Sequence, residues 1–454
     1  MFDLGIEGGT VVQAHGSTRA NVYVADGRVA LVSTDIHPCA LRVDAGELLV
    51  MPGMVDVHVH LMDPAATDRE DFPGGTAAAA RAGVTTIIEH THAGPVRTTA
   101  DLRDKVSYLH DKSRVDFGLA AHVWPDMIHN IPSLWHEGVS FFKAFTCTTH
   151  GVPGLDAAHI LRLFTWSKRA GGICLVHCED ETITAEAERE LRQAGRQDPR
   201  VIIEWRSRAA ELVSLSVVTL LARLTGAHAV MAHVSNPEAV EIVDRQRKKG
   251  APVMAESCPQ YLSFLEDEIV AEGPFRKFTP PARARSDEEV DEMWDALKGG
   301  EIDYIATDHA PATKAQKTDG SIWDVHFGLP GLDTTLPVLL DAASTGRISY
   351  ERVVAAYAEA PARIYGLYPR KGNLAAGSDA DVILVDPAAR WTVRNEDILS
   401  KAGWSPFAGR TLSGLALRTY LRGRLIADDG KVVGEPGFGA FLPGPGARTG
   451  QEVS

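Results

Sequence analysis

MVDVHVHLMD, residues 54–63, decides the fold. It opens as an apolar run rich in β-branched valine, the mark of a buried strand, and closes on His58 and His60. Two residues apart on a strand, these side chains project from one face and can converge on a point beyond the strand end. Working outward, seven further runs of the same character follow: TTIIEHT (85–91), DFGLAAHV (116–123), VSFFKAFT (139–146), CLVHCE (174–179), HAVMAHVS (228–235), PVMAESCP (252–259) and DYIATDHAP (303–311). Helix-like stretches separate most of them, among them AAHILRLFTWSKRAGG (157–172), RAAELVSLSVVTLLARLTG (208–226) and SDEEVDEMWDALKGG (286–300). The last opens on Ser286 with glutamates behind it, a capping-box pattern, and stops at Gly299-Gly300. Eightfold alternation of strand and helix predicts a parallel (β/α)8 barrel, and near-continuous apolar strands are what a sheet covered on both faces requires.

The barrel is expected over 53–371. Residues 1–52 and 372–454 carry short alternating strands with turn signals and are expected to form one small β-sandwich from both termini. The Gly- and Pro-rich end, GFGAFLPGPGARTGQEVS, reads as a partly unstructured tail or an arm lying on a neighbour.

Bulk composition excludes several classes. The chain has 454 residues, 44% hydrophobic and 23% charged, and no apolar segment long enough to span a bilayer. With 46 basic against 60 acidic residues the formal charge is -14, which argues against nucleic acid or an anionic membrane as partner. Five scattered cysteines, an odd number, and an N-terminus without a signal-like segment point to a reduced, cytoplasmic setting.

The chemistry lies at the strand ends. Besides His58 and His60, the fourth strand carries Lys143, the fifth His177, the sixth His233 and the eighth Asp308. Singly, each has a plain alternative. A histidine is as readily a hydrogen-bonded core residue, Lys143 can snorkel to water, and Asp308 can cap a helix or anchor a loop. Jointly, six ligand-type side chains at the functional end of one barrel have the layout of a two-metal hydrolase. A lysine inside FFKAF must be paired, neutral or altered, and a neutral amine can take up carbon dioxide to form a carbamate whose oxygens bridge two cations. No G-x-S-x-G is present, and Cys178, next to His177 on a strand, faces the other way.

Taken together, PGMVDVHVH, FFKAF, LVHCEDE, AHVSNPE, ESCPQYL, TPPAR, GEIDYIATDHAP and GSDADVILVD resemble the cyclic amidohydrolases of the amidohydrolase superfamily: hydantoinases, allantoinases, dihydropyrimidinases and dihydroorotases. The resemblance runs over nearly the whole chain. It implies two divalent metal ions, zinc first, with manganese, cobalt or iron as alternatives. His58 and His60 would hold one ion and His177 and His233 the other, with carboxylated Lys143 bridging them and Asp308 serving as ligand and proton shuttle. It also implies opening of a small cyclic amide to an N-carbamoyl or ureido acid by a metal-bridging hydroxide, in a homotetramer or dimer. Some relatives in this superfamily keep the barrel as non-catalytic scaffolds, but all six ligand positions are filled here, which favours an enzyme.

Substrate choice rests on fewer residues. Dihydroorotases place an arginine two residues after the second histidine; here it is Met62, which cannot pair with a carboxylate. Dihydropyrimidinases place a tyrosine five residues after the lysine; here it is Thr148, as in allantoinase-like and L-hydantoinase-like relatives. A hydantoin- or allantoin-type ring is therefore expected, with a dihydropyrimidine or another cyclic imide or lactam as the alternative. By position, Thr279 and Pro330 are expected against the imide edge, and His150, Trp124 and Phe145 around the pocket. His90 and His92, in EHTHAG, stand where relatives show Met-Pro after the glutamate. They suit substrate contact or the pocket rim, the rim being favoured because a two-metal site needs no further ligand.

Overall fold

A computed structural model describes residues 1–447. Eight parallel strands form the barrel: Met54–Val59, Val84–Glu89, Asp116–Leu119 continuing as Ala121–His122, Phe142–Phe145, Ile173–His177, His228–Met231, Val253–Ser257 and Tyr304–Ile305. Each pairs with its neighbour in parallel register. The ring closes where His60 N donates to His309 O at 2.8 Å and Val59 bridges His309.

Two strands stop earlier than their apolar runs predict. Past Met231 the chain turns at His233 (φ 39°), and past Ile305 it turns at Asp308 (φ 47°). Positive φ takes a non-glycine residue out of the β region and breaks the ladder, so both side chains are aimed by bends rather than by strand alternation. The first strand departs from simple alternation too. Asp56 pairs with Ile87 but Val59 pairs with Glu89, so one extra residue is accommodated between them. Such a bulge reverses which face the following side chains take. Val55 and Val57 pack in the barrel interior with Ile88, Leu175 and Val230, yet His58 and His60 reach the same central site.

The helices follow their local signals. Ser286 caps Asp287–Gly299 by accepting from Glu289 N at 3.4 Å, and Gly300 ends it in the left-handed region. Arg208–Thr225 is capped by Ser207 and buries one face, including Leu215, Val218 and Ala222, against the barrel.

Both termini build one nine-stranded sheet system. Phe2–Gln13 runs antiparallel to Gly16–Ala25 on one side and is flanked on the other by Cys39–Asp44 and Leu49–Pro52. Leu49–Pro52 then pairs antiparallel with Val382–Thr392, which joins the two ends of the chain over a separate core of Ile6, Val22, Val24, Val50, Val382 and Leu384.

The expectation of a loose tail or an arm on a neighbour is corrected for 437–447, and 448–454 lie outside the described residues. Phe117 N donates to Ala440 O at 2.9 Å, Leu442 N to Phe117 O at 2.7 Å, and Gly444 N to Gly138 O at 2.8 Å. Gly439 and Gly444 permit this approach, since a Cβ would meet Val115 O at 1.9 Å and Val139 O at 2.1 Å. Leu442 thereby enters the interior cluster from the N-terminal end of the barrel, opposite the ligand cluster.

Candidate metal centre

All six proposed ligands line one small cavity, together with His92, Phe145, His150, Thr279, Ala310 and Gly328. His58 Nε2 and His60 Nε2 lie 3.2 and 3.4 Å from Asp308 Oδ1, and Lys143 Nζ lies 3.3 Å from His58 Nε2. On the other side His177 Nδ1 faces His233 Nε2 at 3.0 Å.

The outward ring nitrogens are held by the surrounding protein, which aims the inward ones. His58 Nδ1 meets Glu256 Oε1 at 2.5 Å, His60 Nδ1 meets the His90 carbonyl at 3.1 Å, and His177 Nε2 meets Glu179 Oε2 at 2.7 Å. A metal-binding histidine is oriented in this way by a carboxylate or carbonyl on its second nitrogen. His233 Nδ1 has no partner among the described residues.

Burial sets the charge states. It pushes the His58 and His233 imidazoles well below their ordinary value, reinforced for His58 by Lys143 and for His233 by His177. His177 is also lowered by burial, against the pull of Glu179. Neutral imidazoles are the form that binds metal. Burial takes the Lys143 ammonium down to about 8, with Glu256 and Asp308 opposing the fall. Four inward imidazole nitrogens, a carboxylate and a readily neutralised amine make a donor set that fits divalent cations. One ligand atom each from His58, His233 and Asp308 falls within 4.8 Å of the others.

A buried ionic network backs the second histidine pair. Glu179 accepts from Arg283 at 2.6 Å, Arg206 at 3.0 Å and Thr279 Oγ1 at 3.0 Å, and Arg283 also reaches Glu211 at 2.7 Å. On the first side, Asp56 accepts from Tyr357 at 2.8 Å, and Tyr304 donates to Glu256 at 2.7 Å. Glu256 and Glu179 were visible in sequence as carboxylates inside ESCPQYL and LVHCEDE. Arg283 closes the TPPAR motif, but nothing in the sequence ties it or Arg206 to Glu179, because both come from loops between the strand runs.

The residues expected at the substrate divide. Thr279 lines the cavity, as do His92, His150 and Phe145, and His92 and His150 stack with centroids 4.4 Å apart. Met62 is buried and accepts from Thr91 Oγ1 at 3.3 Å, outside the cavity lining. Thr148 is exposed, with its hydroxyl accepting from Gly154 N at 3.3 Å. Pro330 is buried two residues beyond Gly328, which does line the cavity. His90 is neither on the rim nor on the cavity wall, but buried against His58 and His60. The strand ends at Glu89, so strand alternation does not place His90 and His92.

With this geometry in place, the likeness to known proteins is informative. The L-hydantoinase of Paenarthrobacter aurescens is 33% identical over 453 residues, covering 97% of this chain and 98% of that one. The allantoinase of Rubrobacter xylanophilus is 35% identical over 442 residues, with 96% of each covered. A solved structure described as L-hydantoinase (dihydropyrimidinase) from Arthrobacter aurescens superposes with a TM-score of 0.93 at 32% identity, covering 98% of this chain and 100% of that one. The profile described as the amidohydrolase family matches residues 49–426. Over that span, which holds every barrel strand and all six candidate ligands, the chain belongs to the amidohydrolase family.

Proposed function

We propose that this protein hydrolyses a cyclic amide, a hydantoin- or allantoin-type ring, to the open N-carbamoyl or ureido acid, with two divalent cations in the cavity. The observation that carries the reading is the convergence of His58, His60, Lys143, His177, His233 and Asp308 on one cavity at the C-terminal end of the barrel. His58 and His60 would hold one cation and His177 and His233 the other, with Lys143 as a carbamate between them. Zinc suits the nitrogen and oxygen donors first, with manganese, cobalt or iron as alternatives. When bound, the cations supply an activated water and polarise the ring carbonyl.

Asp308 does the proton work. It borders the cavity with 13% of its side chain exposed, and its Oδ1 faces both His58 and His60. It accepts the proton of the attacking water and returns it to the ring nitrogen as the carbon–nitrogen bond breaks. Thr279, with its hydroxyl committed to Glu179, presents its backbone to the ring edge, and His92 and His150 form a neutral aromatic wall. Burial lowers both of those imidazoles well below their ordinary value, which suits an uncharged ring.

The functional units we assign are 53–371 for the hydrolase barrel, and 1–52 with the strands that follow residue 372 for the accessory β-domain, the tail from 437 to 447 lying against the barrel. Self-association is supported by Val213, Val217, Leu220 and Leu224, which form an exposed apolar stripe on the outer face of Arg208–Thr225. A dimer or tetramer would cover it. All five cysteines are free, which supports a reducing, cytoplasmic compartment, and among the described residues no helix is long and apolar enough to cross a membrane.

The test is ring opening by metal-loaded, bicarbonate-treated protein on allantoin, 5-substituted hydantoins of both hands, dihydrouracil and dihydroorotate. A preference for a hydantoin or allantoin is expected. Preference for dihydrouracil would move the assignment to the dihydropyrimidine alternative, and no turnover with both ions bound would overturn it. Asp308→Asn should lower kcat by about 10²- to 10⁴-fold, the usual contribution of a positioned acid–base group.

A further inference from the structure

His90 is 1% exposed, and among the described residues neither Nδ1 nor Nε2 has a hydrogen-bond partner. A buried imidazole with both nitrogens idle is rare, because lost hydration is normally replaced by a bond. The ring lies with its centroid 4.5 Å from His58 and 4.5 Å from His60, at 49° and 71° to them. One nitrogen from each of the three rings falls within 4.8 Å of the others. Its backbone is fixed by the same site, since the His90 carbonyl accepts from His60 Nδ1 at 3.1 Å and His122 Nε2 at 2.6 Å. Phe141 packs against the ring at 5.2 Å, so one flank is apolar and offers no partner.

We infer that His90 is a third imidazole ligand of the cation held by His58 and His60. The inference rests on the two-metal reading above. A substrate contact fits less well, because His90 packs directly on His58 and His60, the residues that would hold the cation, while His92 and His150 are the imidazoles that border the cavity beside them. It follows that the two cations are unequal. The first would have three imidazoles together with Asp308 and the Lys143 group, and the second two imidazoles with the Lys143 group. With His90 added, the first site would therefore move from zinc, which prefers four ligands, toward the alternatives that accept five or six, such as iron or cobalt, while the second would still suit zinc.

The test uses full-length protein loaded with cobalt(II) and bicarbonate, and reads proton NMR for paramagnetically shifted ring N–H signals. Five are expected, from His58, His60, His90, His177 and His233. His90→Met should remove one signal and weaken one of the two ions by at least about tenfold in a chelator competition, the low end of the effect of losing even an indirect metal-site partner. Two bound ions with only four such signals in the unaltered protein would overturn the ligand role while leaving the two-metal reading standing. Binding of fewer than two ions would overturn that reading and the ligand role with it. The spectrum of the unaltered protein decides the matter even where the variant fails to fold.

Discussion

Lys143 concentrates the physics of the site in one residue. The residue is 1% exposed, its amine lies 3.3 Å from His58 Nε2, and burial brings that amine to about 8 from an ordinary 10.5. Only the neutral amine can attack carbon dioxide, so carbamate formation should follow the deprotonated fraction. At fixed dissolved carbon dioxide, the rate at which metal-free protein takes up its second ion should rise as pH passes through about 8 and level off above it. Metal content followed against time at several pH values checks this, and a flat profile would rule out the amine as the reacting group. The same shift affects stability. Because the folded pKa is depressed, the unfolded chain binds more protons between about pH 8 and 10.5, so the metal-free fold gains stability as pH rises across that window. Lys143→Ala should hold fewer than two ions per chain, which elemental analysis after dialysis would show.

At the scale of elements, the strand ends are where sequence was most and least informative. Lys143 and His177 stood out because a polar side chain at the close of an apolar run has few uses. His58 and His60 reach one cavity, but strand alternation is an incomplete reason for it: the bulge between Asp56 and Val59, which leaves no trace in the residue pattern, brings both into the barrel. The ionic network behind His177 was only half legible, since Arg206 and Arg283 reach Glu179 from distant loops and only the fold makes them neighbours. Burial alone would raise the Glu179 carboxyl, but Arg206, the His177 bond and Arg283 outweigh it and hold it well below the ordinary carboxylate range. Glu179→Gln would leave two buried guanidinium groups underpaired, at a cost of about 3–5 kcal/mol. Denaturant unfolding at neutral pH should show a loss of that size. A depressed carboxylate stabilises above its unfolded pKa of 4.5 and loses that contribution only as pH falls through the folded value. The gap between unaltered protein and variant should therefore persist down to about pH 4.5 and shrink below it. An unchanged midpoint at neutral pH would mean the arginines find other partners.

For the whole molecule, periodicity was enough to predict the barrel because eight near-continuous apolar strands alternating with amphipathic helices make a parallel sheet covered on both faces, and eight such units suffice to close it into a ring. Residues 437–447 depart from the expected loose tail for an identifiable reason: glycines and prolines signal freedom in an isolated chain, yet here Gly439 and Gly444 allow close backbone contact with Val115 and Val139. One surface is still unaccounted for by a single chain. Val213, Val217, Leu220 and Leu224 recur at the spacing of one helical face and are 38–65% exposed, while the opposite face of the same helix packs on the barrel. An apolar stripe at that spacing is suited to the matching stripe of a second copy across a twofold axis, where each residue meets its symmetry mate or a neighbour of it. Placing lysine at Val217 and Leu224 would put like charges on both sides of such a contact without touching the buried face. Analytical ultracentrifugation should then show the unaltered protein as a dimer or larger and the Val217→Lys/Leu224→Lys variant shifted toward monomer. Because the stripe lies on the outside of the barrel and the cavity at its mouth, ring opening per chain should survive the change. Identical sedimentation of the two proteins would assign association to another face.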